Sequence, residues 1–197
     1  MAVPKQTTRK PASRPWKPAR SVLAIVGVGG LALVAFLGIR LASGGEVTQP
    51  NTLAASVGRP APDFKAQLIE GGTFTLSEQR GKPVLVIFTA SWCTSCIPEV
   101  NKMAQLQDEF GGRGLKELAL SADPTDTPGK FAQLRQMTRG ANLQWALDTG
   151  QKATLAYGVT ATDTKVLISP EGRNVLETSS PMSLDAVRQQ ISTMLAG

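Results

Sequence analysis

The reactive side chains of this 197-residue chain gather in one segment, Ala90-Ser91-Trp92-Cys93-Thr94-Ser95-Cys96-Ile97-Pro98-Glu99. Cys93 and Cys96 are the only two cysteines, and histidine is absent altogether. That absence removes Ser-His and Cys-His nucleophile pairs, histidine-ligated zinc or copper, and imidazole acid–base work. Two thiols three residues apart can still exchange disulfides. On the first turn of a helix this spacing puts both sulfurs on one face, close enough to join and to part. Cys93, at the helix start, meets unpaired backbone N–H groups and the positive end of the dipole, which favour its thiolate. It is the expected attacking sulfur. Cys96, a turn deeper, is placed to attack a mixed disulfide on Cys93 and release the partner. The chemistry calls for no cofactor beyond the Cys93–Cys96 disulfide itself.

Two other readings of the pair stay open. Two thiolates can hold Cu(I) for delivery, although with no histidine or further cysteine the site needs Met, a carboxylate or a second molecule. An inert structural bridge is the third possibility. In the chain-entropy picture, linking residues three apart stabilises by only about 2 kcal/mol, against about 4.7 for a hundred-residue loop. Such a bridge constrains little.

The elements that must hold the pair can be read on either side of it. Val84 to Phe88 is a continuous β-branched-rich run, the signature of a strand buried on both faces. The cysteines therefore stand at the carboxyl end of a central strand, where open α/β sheets place their ligand sites. After them, Val100, Met103, Leu106 and Phe110 recur at helical spacing until Gly111-Gly112. Upstream, Phe64 to Ile69, the turn Glu70-Gly71-Gly72 and Thr73 to Leu76 read as a hairpin. Downstream, Leu115 to Ser121 is a strand, and Thr127-Pro128 caps and opens a helix running through Phe131, Leu134 and Arg139. Leu143 to Leu147 is a further strand, and Gln151 to Tyr157 a short helix ended by Gly158. Lys165 to Ser169, the turn Pro170 to Arg173 and Asn174 to Glu177 make a final hairpin. Ser183 caps the last helix, on which Leu184, Val187, Ile191, Met194 and Leu195 form a stripe. Alternating strand and helix imply an α/β domain with a partly parallel sheet.

Charge is distributed unevenly. The formal charge of +6 comes from Lys5, Arg9, Lys10, Arg14, Lys17 and Arg20, all ahead of the first acidic residue, Glu46. Ser21 to Ile39 is uncharged and apolar, and its length suits a helix crossing about 30 Å of hydrocarbon. The basic arm, residues 1–20, is expected to stay cytoplasmic, with residues 21–40 as a single transmembrane anchor. A linker, 41–56, then leads to an extracytoplasmic domain, 57–197. A cleaved signal peptide competes with the anchor, but its apolar core spans only about 7–15 residues. The charges read as topology signals, so no nucleic-acid partner is expected.

The domain resembles membrane-anchored thioredoxin-like proteins of the bacterial cell envelope, the TlpA and ResA type. The likeness runs from Val57 to Ala196. It is carried by Gly58-Arg59-Pro60-Ala61-Pro62-Asp63-Phe64, by Gly81-Lys82-Pro83-Val84-Leu85-Val86, and by Phe88 to Cys96 with Glu99 three positions on. The resemblance implies a thioredoxin-like fold with an added N-terminal β-hairpin and reduction of client protein disulfides outside the cytoplasm. It also implies an electron donor in the membrane or envelope. Trp92, Thr94, Ser95, Glu99 and Asp163 become the expected neighbours of the redox pair.

Two positions depart from the family. Ile87 stands where cytoplasmic thioredoxins bury an aspartate, which leaves Glu99 as the candidate proton acceptor; its alternative role is a first-turn carboxylate favoured by the helix dipole. Asp163 stands where the family presents a cis-proline to the cysteines. A non-proline cis bond costs about 3–4 kcal/mol, so the Thr162–Asp163 bond is expected to be trans, with a negative charge raising the Cys93 pKa. Asp123 to Pro128 is similar to a segment of copper-assembly thioredoxin relatives without their histidine, and Asp126 and Thr127 are read as a turn and a helix cap.

Overall fold

A computed structural model describes residues 56–196. The basic arm, the apolar span of residues 21–40 and the linker up to residue 55 lie outside them. Among the described residues no helix is long and apolar enough to cross a membrane.

The chain forms β1 (Lys65–Leu68), β2 (Thr73–Thr75), β3 (Val84–Thr89), α1 (Ile97–Phe110) and β4 (Lys116–Ser121). There follow α2 (Pro128–Gln136), β5 (Gln144–Leu147), α3 (Lys152–Ala156), β6 (Thr164–Ile168), β7 (Asn174–Thr178) and α4 (Leu184–Met194). The strands make one sheet in the order β2-β1-β5-β4-β3-β6-β7. Its centre is parallel, β3 against β4 and β4 against β5, while β1, β2, β6 and β7 add antiparallel flanks.

All six residues of β3 are buried, because both of its faces are covered. Leu85 and Ile87 point into a core shared with Val100, Met103 and Leu106 of α1, Phe131 of α2 and Ile191 of α4. Val84, Val86 and Phe88 point the other way, to Phe64, Phe74, Leu118, Leu120 and Tyr157. This is why the run carries no alternation in sequence: each face of a strand with period two has its own apolar layer. Gly140 lets α1 close on β5. A Cβ there would lie 2.7 Å from Val100 Cγ1 and 3.2 Å from the Trp145 ring.

The strand ends agree with the sequence reading to within one residue, and three differences concern the helices. The helix opened by Thr127, whose Oγ1 accepts the Lys130 N–H, ends at Gln136 and not at Arg139. The Thr138 hydroxyl and N–H both turn back onto the Arg135 carbonyl and close it off. The short helix begins at Lys152, because Gln151 takes a left-handed φ of 54°. Asp148, a residue not singled out from the sequence, caps that helix by accepting the N–H groups of Ala153 and Thr154 at 3.1 and 2.7 Å.

The third difference touches the cysteines. They do not share an α-helical turn: Cys93 precedes a 3-10 turn, Thr94–Cys96, and α1 starts at Ile97. Pro98, in the first turn of α1, lacks an N–H where none is needed.

Candidate redox site

Cys93 and Cys96 are joined by a disulfide, their Cα atoms 5.4 Å apart. The segment from the end of β3 is wound tightly: the Cys93 N–H donates to the Ala90 carbonyl, Thr94 to Trp92 and Cys96 to Cys93. Cys96 is fully buried and Cys93 is 3% exposed, whereas the preceding Trp92 is 63% exposed. The N–H groups of Cys93, Thr94 and Cys96 are thus taken by backbone carbonyls, so the unpaired donors expected beside Cys93 at a helix start are not found there. What remains to favour a Cys93 thiolate is the positive end of the α1 dipole, which begins at Ile97. Of the two residues between the cysteines, Ser95 approaches the sulfur, its Oγ 3.5 Å from Cys93 Sγ.

The loop before β6 supplies the facing wall. Thr162 Oγ1 lies 3.6 Å from Cys93 Sγ. A disulfide sulfur has no proton, so either hydroxyl contact is a donation from the oxygen, and both strengthen when the sulfur becomes a thiolate. Sequence reasoning passed over Thr162, although its place beside the family's proline position was a usable signal.

Asp163 itself is turned differently from the expectation. The peptide before it is trans, as expected, there being no cis bonds among the described residues, and its φ is 72°. Its N–H donates to the Phe88 carbonyl at 2.7 Å, and its carboxylate reaches down to Lys165, 3.2 Å from Nζ. Burial lifts the Asp163 carboxyl above its ordinary range while Lys165 pulls it back. The group that meets the sulfur is thus the Thr162 hydroxyl, and Asp163 anchors the loop from below.

Glu99 lies in the same buried layer. Oε1 takes the Lys102 ammonium at 2.7 Å, and Oε2 takes the Met182 N–H at 2.8 Å and lies 3.5 Å from Lys165. Burial pushes its pKa up, but the Lys102 and Met182 hydrogen bonds and the nearby ammonium groups outweigh it and hold the carboxyl below its ordinary range. A carboxylate so fully engaged is a weak proton acceptor and a firm anchor. Lys165, which the sequence reading took only as the start of a strand, is fully buried on β6 opposite Ile87. A lysine directly ahead of the apolar run Val166-Leu167-Ile168 was the signal for it.

A second clamp holds the loop that carries Trp92. Asp126 accepts the Ser91 N–H at 2.8 Å and the hydroxyls of Ser91 and Ser121, each at 2.5 Å. It ties two loops together, a larger role than the turn expected of it. Thr127 alone caps the helix. Asp123 forms the turn, accepting the Thr125 N–H and hydroxyl, and also takes the Trp92 indole N–H at 2.7 Å. Between these loops runs a groove of about 510 Å³. Ala90, Trp92, Ala122, Pro124, Val159 and Ala161 give it apolar walls, and Thr162 brings it to the disulfide.

Residues 57–175 match the AhpC/TSA family. A relative named thiol-disulfide oxidoreductase ResA from Bacillus thuringiensis (strain Al Hakam) is 33% identical over 119 residues, 60% of this chain and 67% of its own. The ResA of Bacillus subtilis (strain 168) is 29% identical over 143 residues, 72% of this chain and 78% of its own. Among solved structures, a candidate thiol:disulfide interchange protein DsbE from Chlorobium tepidum superposes with a TM-score of 0.62 at 28% identity. It covers 71% of this chain and 97% of its own. The fold is thioredoxin-like, and the residues that carry the redox pair lie inside the matched region.

Proposed function

The chain belongs to the AhpC/TSA family, and on that premise we propose that its dithiol reduces disulfides of client proteins outside the cytoplasm. Thiol–disulfide exchange is the activity its relatives share. The observation that carries the reading is the Cys93–Cys96 disulfide itself, held at the carboxyl end of the central strand beside an open apolar groove.

In the reduced protein the Cys93 thiolate attacks one sulfur of a client disulfide. A Cys93–client bond forms, the client S–S bond breaks, and the released client sulfur takes a proton. Cys96 then loses its proton and attacks Cys93, which frees the second client thiol and restores the Cys93–Cys96 bond. Two electrons have passed to the client, and an envelope or membrane donor must return the pair to the dithiol. The exposed Trp92 and the apolar groove suit an extended client segment, with Ser95 and Thr162 hydroxyls stabilising the Cys93 thiolate. The extracytoplasmic site rests on the basic arm and apolar span of residues 1–40, which orient the domain outward.

Incubating the reduced full-length protein with a disulfide-bonded protein such as insulin tests the reaction. Reduction of insulin that is lost in Cys93→Ser, with mixed disulfides trapped in Cys96→Ser, supports the reading. No exchange, together with stoichiometric Cu(I) binding that needs both thiols, would replace it with metal delivery. A reporter fused after Gly197 tests location, and activity only in the cytoplasm overturns the orientation.

A further inference from the structure

We infer that Lys165 is a positioning residue for the dithiol: one buried ammonium ties the active-site helix, through Glu99, to the loop facing Cys93, through Asp163. The inference rests on the exchange reading above and deepens it by naming what controls the reactive sulfur.

Lys165 is fully buried on β6, between β3 and the edge strand β7, where an ammonium is costly to desolvate unless it is paired. Its Nζ lies 3.2 Å from Asp163 Oδ1 and 3.5 Å from Glu99 Oε2. The two carboxylates depend on it unequally. Glu99 also holds Lys102 and the Met182 N–H, so it stays engaged without Lys165. For Asp163, Lys165 is the cation in ion-pair contact.

Asp163 also carries a strained backbone. Its φ of 72° lies in the left-handed region, where a side chain other than glycine is uncommon. Two contacts hold it there, its N–H to the Phe88 carbonyl and its carboxylate to Lys165. The next residue toward the N-terminus is Thr162, whose hydroxyl meets Cys93 Sγ. A chain of contacts therefore runs from the Lys165 ammonium to the Asp163 carboxylate, through one peptide bond, to the Thr162 hydroxyl and the sulfur. The ion pair thus couples the Lys165 charge to the loop that faces the sulfur.

The charges give the same direction. The ionisable groups gathered around the site are Asp163 on the loop, Glu99 and Lys102 on α1, Lys165 on β6, and the two thiols of the reduced pair. With the carboxyls ionised, two carboxylates face two ammonium groups. Removing Lys165 leaves two carboxylates facing one cation, and that excess negative charge disfavours the Cys93 thiolate.

The test is pH-dependent alkylation of Cys93 in the reduced full-length protein, resolved by site with mass spectrometry. Lys165→Met is expected to raise the Cys93 pKa by about one unit, slowing alkylation about tenfold at pH values below it. Asp163→Asn is expected to move the rate the other way. The double variant, which removes the pair without stranding a charge, is expected to return to within about twofold of the parent. Parental alkylation in Lys165→Met, or a double variant that keeps the whole loss, overturns the inference. Should Lys165→Met fail to fold, the other two variants decide: a faster Asp163→Asn with a double that reverts supports the coupling, and parental behaviour in both overturns it. Insulin reduction by the parent, run in parallel, separates the two layers. A parent that exchanges while its Cys93 ignores Lys165 sinks only this inference, and a parent that does not exchange sinks the reading beneath it.

Discussion

The indole N–H of Trp92 donates to Asp123 Oδ2 at 2.7 Å, latching the residue before the first cysteine to the loop that follows β4. The bond fixes the large exposed ring at the mouth of the groove, so the surface a client meets is set before it arrives. It also couples that surface to pH. The Trp92 hydrogen bond, with those from the Thr125 N–H and hydroxyl, holds the Asp123 carboxyl below its ordinary range.

Releasing the latch is expected to loosen the ring without unfolding the domain. Asp123→Ala should increase acrylamide quenching of tryptophan fluorescence and raise KM for a protein disulfide about two- to tenfold, the effect of one charge-assisted hydrogen bond that orders a side chain. Because the folded-state pKa is depressed, the latch is intact at neutral pH and fails only as pH falls through that lowered value. Quenching identical to the parent's would show that the ring is held by packing instead.

The two hydroxyls at Cys93 are expected to act as thiolate donors. Thr162→Val and Ser95→Ala should each raise the Cys93 pKa by about half a unit to one unit, as loss of a hydrogen bond to the charged form requires. Alkylation rates across pH 5 to 9 give the value, and an unchanged midpoint in both variants removes the hydroxyls from the chemistry.

Glu99 supports the fold around the site above its own pKa. Its folded-state pKa is lowered, so its contribution is present above the unfolded value and is lost as pH falls through the folded one. Glu99→Gln is expected to cost about 1.5–3 kcal/mol at pH 7, the scale of hydrogen bonds to a charged group, and much less near pH 3. Urea melts at the two pH values measure this, and an equal cost at both contradicts the ionic role.

Glu117 has the opposite sign. It is buried on β4 with neither carboxylate oxygen hydrogen-bonded, and burial, helped by the Asp108 charge, drives its pKa well up. A raised acid binds its proton more tightly in the folded state, so stability is full below the unfolded pKa and declines as pH rises toward the folded one. Glu117→Met is expected to stabilise by about 1–3 kcal/mol at pH 8, the usual cost of an unsatisfied buried polar group, with a smaller gain at pH 4. Thermal melts at both pH values check it; a destabilised variant at pH 8 would mean that the ionised carboxylate has a stabilising partner in the fold.

The redox pair was legible in the chain alone, because a Cys-x-x-Cys after a doubly buried strand leaves few other chemistries open once histidine is missing. Most of the strands and helices were legible there as well, since apolar periodicity and the caps Thr127 and Ser183 are local signals that tertiary contacts did not override. Tertiary structure decided the surroundings of the sulfur. Thr162 is 69 residues from Cys93, and the union of Lys165 with Glu99 and Asp163 follows from β6 lying beside β3 in antiparallel register. Neither composition nor spacing carries such distances. The same holds for Asp126, whose grip on Ser91 exists because β3 and β4 end side by side. Local pattern reports which groups a segment owns, whereas the electrostatics of a buried cluster depend on which segments the sheet brings together.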